Sequence, residues 1–378
     1  MNIAFDAKRA FQNNTGLGNY SRTLISSLAT YYPEHHYYLY APKLTDMYNP
    51  AAFSNMTTIL PQKPLHRLLK GLWRSKFVVS ELAQQGISIY HGLSHEIPFG
   101  IHKSGVKSVV TMHDLIFERN PEQYNPIDVQ TYRKKAKYAC QYADKVIAIS
   151  EQTKQDLITY YNTPADKIAV AYQSCDESFA VQHSDAEIAQ MLGKYNFPKE
   201  YFLYVGSLIE RKNLIGILQA MVLLKGKVDI PLLVLGGGSS YKKKVMDFIA
   251  ANGLQKQVIL VNDTVKFAYN DLPLLYQGAK ALIYPSFFEG FGIPILEALW
   301  SHTPVITSTG SCFGETAGDA ALYIDPASAE AIAKAMEEVV NNPALIEALK
   351  KKGIIQAQKF TRDKCAAEVM KVYQSLNQ

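Results

Sequence analysis

Cysteine is scarce in this chain and follows no pattern. Cys140, Cys175, Cys312 and Cys365 are too scattered for a metal knuckle or a disulfide framework, so a reduced, cytoplasmic protein is expected. Long apolar runs are missing too, and no stretch approaches the ~18 residues of a spanning helix. The opening Met1-Asn2-Ile3-Ala4-Phe5-Asp6 reads as a strand, not as the charged-then-apolar start of a secretory signal. No Asp-x-Asp triplet occurs, which argues against a divalent ion held by closely spaced aspartates. There is no internal repeat, no low-complexity tract and no basic face interleaved with aromatics, so nucleic acid is not an expected partner.

What is present is a globular composition. At 378 residues, 48 % hydrophobic and 19 % charged, the chain is expected to form two domains, each with its own core. A net charge of +5 suits anionic substrates or an anionic membrane surface without requiring either.

Short apolar runs alternate with helical patterns, the signature of α/β units with parallel sheets. Strands are expected at 2–6, 37–41, 87–91, 108–113, 145–149 and 167–172, and helices at 18–31, 65–84, 129–142 and 151–161. Ser150 is placed to cap the last of these. The pattern restarts at Tyr201-Phe202-Leu203-Tyr204-Val205-Gly206, with later strands at 232–235, 258–261, 281–284, 305–307 and 321–324. The polar stretch 173–199 between the two series reads as a hinge region. The boundaries that follow are 1–175, 176–360 and a terminal helix, 361–378, opening at Thr361.

The most informative segment is Pro285-Ser286-Phe287-Phe288-Glu289-Gly290-Phe291-Gly292-Ile293-Pro294-Ile295-Leu296-Glu297. It runs from a buried strand through a glycine turn into a helix with proline in its first turn. Such a turn presents backbone N–H groups at the carboxyl edge of a parallel sheet, where open α/β sheets bind ligands and helix termini favour anions. Glu289 and Glu297 can face the same crevice. Carboxylates are poor phosphate ligands but accept well from sugar hydroxyls, so the pattern points to a sugar phosphate. A second strand-to-helix turn, Gly206-Ser207-Leu208-Ile209-Glu210-Arg211-Lys212-Asn213, sets two cations near a helix start, where the dipole disfavours them unless an anion lies between. Diphosphate fits, with arginine as a fork and lysine as a point charge; a solvated basic turn is the alternative.

The string EGFGIPILE resembles the Glu-x7-Glu signature of retaining glycosyltransferases of the GT-B fold, the glycosyl transferases group 1 family. The likeness covers most of the chain and is strongest over 206–325. It implies two Rossmann-like domains facing a cleft, the first on the acceptor side and the second binding the nucleotide sugar, with the last helix crossing back to the first domain. It also implies that Glu297 binds ribose, that Glu289 contacts sugar hydroxyls, and that Arg211 and Lys212 hold the diphosphate. Backbone around Phe291 and Gly292 would fix the sugar, the loop bearing Gly16 and Gly18 would approach the phosphates, and His113 would touch the donor sugar. Asn19, His302 and Gly314 depart from the family pattern, which commonly has arginine, glycine and proline there. The glycine turn Leu235-Gly236-Gly237-Gly238-Ser239 matches a family loop near the nucleotide base.

The function expected is transfer of a hexosyl group from a nucleotide diphosphate sugar to a glycan or lipid-linked acceptor, with no metal and no cofactor. Mannose is the first expectation and glucose the second. A nucleotide-sugar epimerase and a non-catalytic sugar-nucleotide-binding protein are the rival readings. His91, His95 and His113 form the only histidine group worth weighing as a metal site; without a cysteine or clear carboxylate ligand, a loop facing the acceptor is the better assignment for the first two.

Residues 63–77 are basic and amphipathic, with Leu65, Leu68, Leu69, Leu72 and Trp73 on one helical stripe. Either this stripe faces the core, or it rests on an anionic membrane as a peripheral contact.

Overall fold

The computed structural model describes residues 1–238 and 240–377, and the chain divides into two compact units, 1–175 with 360–378 and 176–359. The first contains a seven-stranded, wholly parallel sheet of β1 (Asn2–Asp6), β2 (His36–Tyr40), β3 (Met56–Ile59), β4 (Ile89–Gly92), β5 (Lys107–Met112), β6 (Lys145–Ala148) and β7 (Ile168–Val170), ordered β3-β2-β1-β4-β5-β6-β7. The second contains β8 (Phe202–Val205), β9 (Leu232–Leu235), β10 (Val258–Leu260), β11 (Ala281–Tyr284), β12 (Val305–Ser308) and β13 (Ala321–Ile324), also all parallel, ordered β10-β9-β8-β11-β12-β13. Two Rossmann-like α/β domains are therefore present.

Side-chain alternation along the strands fills both faces of the first sheet. Ile3, Phe5, Ile89, Val109 and Ile147 enter one core cluster, while Ala4, Tyr90, Val110, Val146 and Ala148 enter another. The helix Arg362–Ser375 belongs to the first unit, with Ala366, Val369, Met370 and Tyr373 buried against the helix Gly16–Tyr31 and β1. Burial of Val369 and Met370 contributes about 1.5–3 kcal/mol of transfer free energy each, set against the entropic cost of ordering a terminal helix.

Several boundaries differ from the sequence reading. β3 is an additional strand at the sheet edge; Met56-Thr57-Thr58-Ile59 is only half-buried and lacks the apolar run that marks a central strand. Ser150 caps its helix by accepting from the Thr153 N–H, whereas Thr361 occupies the N-cap position with no cap bond. The expected helix 65–84 is broken into Pro64–Leu68, Lys70–Leu72, a π-turn Trp73–Phe77 and Val78–Gln84. Trp73 is buried while Leu65, Leu68, Leu69 and Leu72 are exposed, so the five do not share a face and the leucine stripe is not core.

Candidate active site

Strand order decides where a parallel sheet can hold a ligand. In the second sheet the order reverses between β8 and β11, because β8 leads outward to β9 and β11 to β12. Loops leaving two such neighbours diverge, opening a crevice at their carboxyl ends. The loop after β8 carries Arg211 and Lys212, and the loop after β11 carries Glu289.

Those three side chains meet there. Glu289 Oε1 lies 2.8 Å from Arg211 Nη1 and 3.0 Å from Lys212 Nζ. Tyr284, the last residue of β11, donates its hydroxyl to Glu289 Oε1 at 2.9 Å and accepts from Lys212 Nζ at 2.8 Å. Arg211 also donates to the Phe288 carbonyl, and Phe287 N–H donates to the Arg211 carbonyl at 2.9 Å, which ties the two loops together. Arg211 and Glu289 are buried, and the Lys212 side chain is only 12 % exposed. Burial alone would push the Glu289 carboxyl up; Lys212 and Arg211 outweigh it and hold the group at about 2. Burial pulls the Lys212 ammonium down against the attraction of Glu289. One carboxylate thus faces two cations, and the trio keeps a net positive charge in a low-dielectric setting.

Backbone geometry builds the approach. Gly206 has φ 152° and a Cβ there would lie 3.0 Å from the Lys212 side chain, so glycine keeps the lysine's path open. A Cβ on Gly236 would lie 1.8 Å from the Gly206 carbonyl, so the glycines of the 236–238 turn serve close approach of two loops. Ser239 of that turn lies outside the described residues. Gly292, at φ 93°, starts the helix Ile293–Trp300, and the Phe291 side chain is buried beside it. Ser311, at φ 49°, accepts from Glu289 N–H at 3.2 Å and donates to the Glu289 carbonyl at 3.0 Å, fixing the turn. His302 has φ 54°, the left-handed region that explains why glycine is common there in the resembled family.

Glu297 sits within that helix, buried, and accepts from Tyr276 OH at 2.7 Å. Burial raises its carboxyl to about 7, against the opposing Tyr276 hydrogen bond. A carboxyl whose folded value exceeds its unfolded one stabilises the fold fully below the unfolded value and loses that contribution as pH rises through the folded one. Between pH ~4.5 and ~7 Glu297 should therefore surrender on the order of 3 kcal/mol. Buried His91, His95 and His113, all lowered to about 3–4 by burial, change stability in the opposite sense below pH ~6.5. The comparison with Glu297→Gln isolates the carboxyl. In urea unfolding, the wild-type advantage over that variant should shrink from pH 5 to pH 8; a constant difference would contradict the raised value.

In the first unit the order reverses between β1 and β4, and the carboxyl ends of β1, β4 and β5 open onto a cavity of about 360 Å³. Lys8, Arg9, His95, Glu96, Phe117 and Tyr132 are among its walls. Arg74 bridges Asp6 at 2.5 Å and Glu96 at 2.7 Å, and Lys135 reaches Glu96 at 2.8 Å. His113 follows β5 and is buried. Its Nε2 donates to the Leu93 carbonyl at 2.9 Å, Nδ1 accepts from Gln173 at 3.4 Å, and Tyr20 packs edge-on at 4.6 Å. Burial keeps the ring neutral, so it can present a fixed tautomer but is no general acid at neutral pH.

His91 corrects the sequence reading. It lies within β4, fully buried, with Nδ1 2.6 Å from Tyr373 OH and Nε2 2.8 Å from Thr111 Oγ1; it is a core histidine and not a loop facing an acceptor. Among the described residues no group of three His, Cys, Asp or Glu is arranged to hold a metal.

Gly16 opens the helix Gly16–Tyr31 and is exposed, whereas Gly18 is buried. A Cβ on Gly18 would lie 1.8 Å from the Asn13 carbonyl, and its N–H goes to Thr15 O at 2.9 Å and Asn13 Oδ1 at 3.1 Å. The loop is thus closed on itself by the Asn13 side chain. Tyr284, Tyr276 and Asn13 were not singled out by sequence reasoning. Only Tyr284 carried a signal, as the final residue of a strand leading into the glutamate turn.

Residues 190–356 match the family described as Glycosyl transferases group 1, and residues 15–179 match Glycosyltransferase Family 4. The chain is 31 % identical over 292 residues to O-antigen chain mannosyltransferase B of Escherichia coli, spanning 76 % of this chain and 74 % of that protein. Among solved structures, sucrose-phosphate synthase of Thermosynechococcus elongatus superposes with a TM-score of 0.76 at 21 % identity, over 100 % of this chain and 99 % of that one. Anabaena HepE in complex with UDP and glucose gives 0.75 at 15 % identity, over 99 % and 100 %. With two parallel-sheet domains and these relatives, the chain belongs to the glycosyl transferases group 1 family and is a glycosyltransferase of the GT-B fold.

Proposed function

We propose that this chain is a retaining mannosyltransferase that uses a nucleotide diphosphate sugar and a glycan or lipid-linked glycan acceptor. The observation that carries the reading is the Arg211–Lys212–Glu289 cluster at the β8/β11 reversal. Its excess positive charge suits a diphosphate, and its carboxylate suits sugar hydroxyls. Mannose is favoured over glucose by the name of the 31 % identical relative. Glu297 takes the ribose hydroxyls, and backbone at Phe291 and Gly292 steadies the sugar. In the first unit, His113 acts as a neutral hydrogen-bonding group and the loop at Gly16 and Gly18 approaches the phosphates. The cavity beside β1 and β4, with aromatic Phe117 and Tyr132 for a sugar face, takes the acceptor.

Glu289 Oε1 is engaged by an arginine, a lysine and a tyrosine, which makes it a weak nucleophile. Its role is positioning. Retention then follows from front-side attack, in which the acceptor hydroxyl gives its proton to the departing phosphate while Arg211 and Lys212 stabilise the charge growing there.

Thermal-shift measurements with GDP-mannose, UDP-glucose and related donors, followed by transfer assays, test this reading. Stabilisation by one donor with slow nucleotide release that acceptor accelerates supports it. Conversion of the donor's sugar without acceptor would identify an epimerase instead, and tight binding with no turnover on any acceptor would leave a binding protein. Because cationic side chains neutralise the leaving group, activity should persist in excess EDTA. Complete loss, restored by a divalent ion, would contradict that assignment.

A further inference from the structure

The segment that precedes Val78 is amphipathic with its apolar side outward. Leu65, Leu68, Leu69 and Leu72, spaced at i, i+3, i+4 and i+7, are 54 %, 80 %, 41 % and 42 % exposed. The inward side is polar and aromatic. His66 Nδ1 lies 3.0 Å from Glu81 Oε1, and fully buried Trp73 donates Nε1–H to both Glu81 oxygens at 3.0 Å. Arg74, ion-paired with Asp6 and Glu96, pins the same segment to β1 and the β4 loop. These anchors hold the leucines outward, so their exposure is built into the fold rather than left over from a loose helix.

Charge around the patch is of one sign. No Asp or Glu occurs between Asp46 and Glu81, while Lys63, Arg67, Lys70 and Lys76 all stand exposed beside the leucines. Among the described residues none of these four makes an ion pair. Exposed apolar clusters rimmed by polar groups mark interaction surfaces. A leucine as exposed as Leu68 projects from the surface and offers no pocket for a partner's side chain. A fluid apolar layer accepts such a projection without shape complementarity, and an anionic headgroup layer matches the four cations. No helix among the described residues is long and apolar enough to cross a membrane, so the contact would be interfacial.

We propose that residues 63–76 form a docking surface for an anionic phospholipid bilayer, with the four leucines entering the headgroup–acyl boundary. This holds whatever donor the second unit uses, and lipid binding is measured separately from nucleotide binding. The full chain should be co-sedimented with phosphatidylcholine vesicles, with and without phosphatidylglycerol. Binding is expected only with the anionic lipid and should weaken as salt rises. Leu68→Glu with Leu72→Glu should reduce it at least ~10-fold, and Lys63→Gln or Lys70→Gln by about fivefold each. The melting temperature should hold, because the altered side chains are exposed. No binding to anionic vesicles, or undiminished binding by the leucine variant, would overturn the proposal. A concentration-dependent dimer abolished by Leu68→Glu, without lipid binding, would overturn it in favour of a second copy of the chain.

Discussion

Glu289→Gln should cut turnover by about 100-fold or more and leave affinity for the donor nucleotide nearly unchanged. The amide keeps the side chain's size but removes the charge that orders Arg211 and Lys212 and replaces one of the two acceptor oxygens with an NH2 donor. Misplacement of reacting groups by about 1 Å is enough for a loss of that size. The nucleotide's own diphosphate replaces the missing anion between the two cations, which is why binding should survive. Without ligand the variant has two buried cations and no counter-charge, and breaking buried pairs of this kind costs ~3–5 kcal/mol. Lys212 softens the loss by releasing its proton, for burial already lowers its pKa. The expected pattern is a melting temperature below wild type that recovers disproportionately when nucleoside diphosphate is added. Turnover equal to wild type would refute the role of Glu289.

Arg211→Ala should weaken nucleotide diphosphate binding by about 10- to 100-fold, the equivalent of one or two charge-assisted hydrogen bonds. Arg211→Lys should recover only part of this, because an ammonium lacks the planar fork that grips two phosphate oxygens. Combining Arg211→Ala with Lys212→Ala should give a loss that differs from the sum of the two, since both cations share Glu289 Oε1. Isothermal titration with the free nucleotide separates these effects from catalysis. Unchanged affinity in Arg211→Ala would place the diphosphate elsewhere.

The chain's local grammar carried much of this. Strand–turn–helix punctuation around 281–297 and 202–214, with Pro294 in the first turn and Gly206 and Gly292 at the bends, was legible because each choice is local. Strand order was not. Nothing in a run such as Ala281-Leu282-Ile283-Tyr284 states that its neighbour is β8, 76 residues or more earlier, so the meeting of Arg211 with Glu289 rested on the family likeness alone. The bond from Tyr276 to Glu297 joins residues from two helices and leaves no periodic trace. Helical spacing in 63–77 showed that a leucine stripe exists but not which way it points; Glu81, gripping His66 and Trp73, decides that, and its role appears only in three dimensions. The closure of the Gly16–Gly18 loop by Asn13, which accepts from the Gly18 N–H together with the Thr15 carbonyl, likewise appears only in three dimensions.

The central claim is that the cations at the β8/β11 reversal receive the donor's diphosphate. Its most direct test is a crystal structure of the complex with a nucleotide diphosphate sugar. Arg211 and Lys212 should lie within hydrogen-bonding distance of phosphate oxygens, with Glu289 turned toward the sugar and Glu297 toward the ribose. A nucleotide bound elsewhere, with the Arg211–Glu289 pair still closed at 2.8 Å, would contradict it.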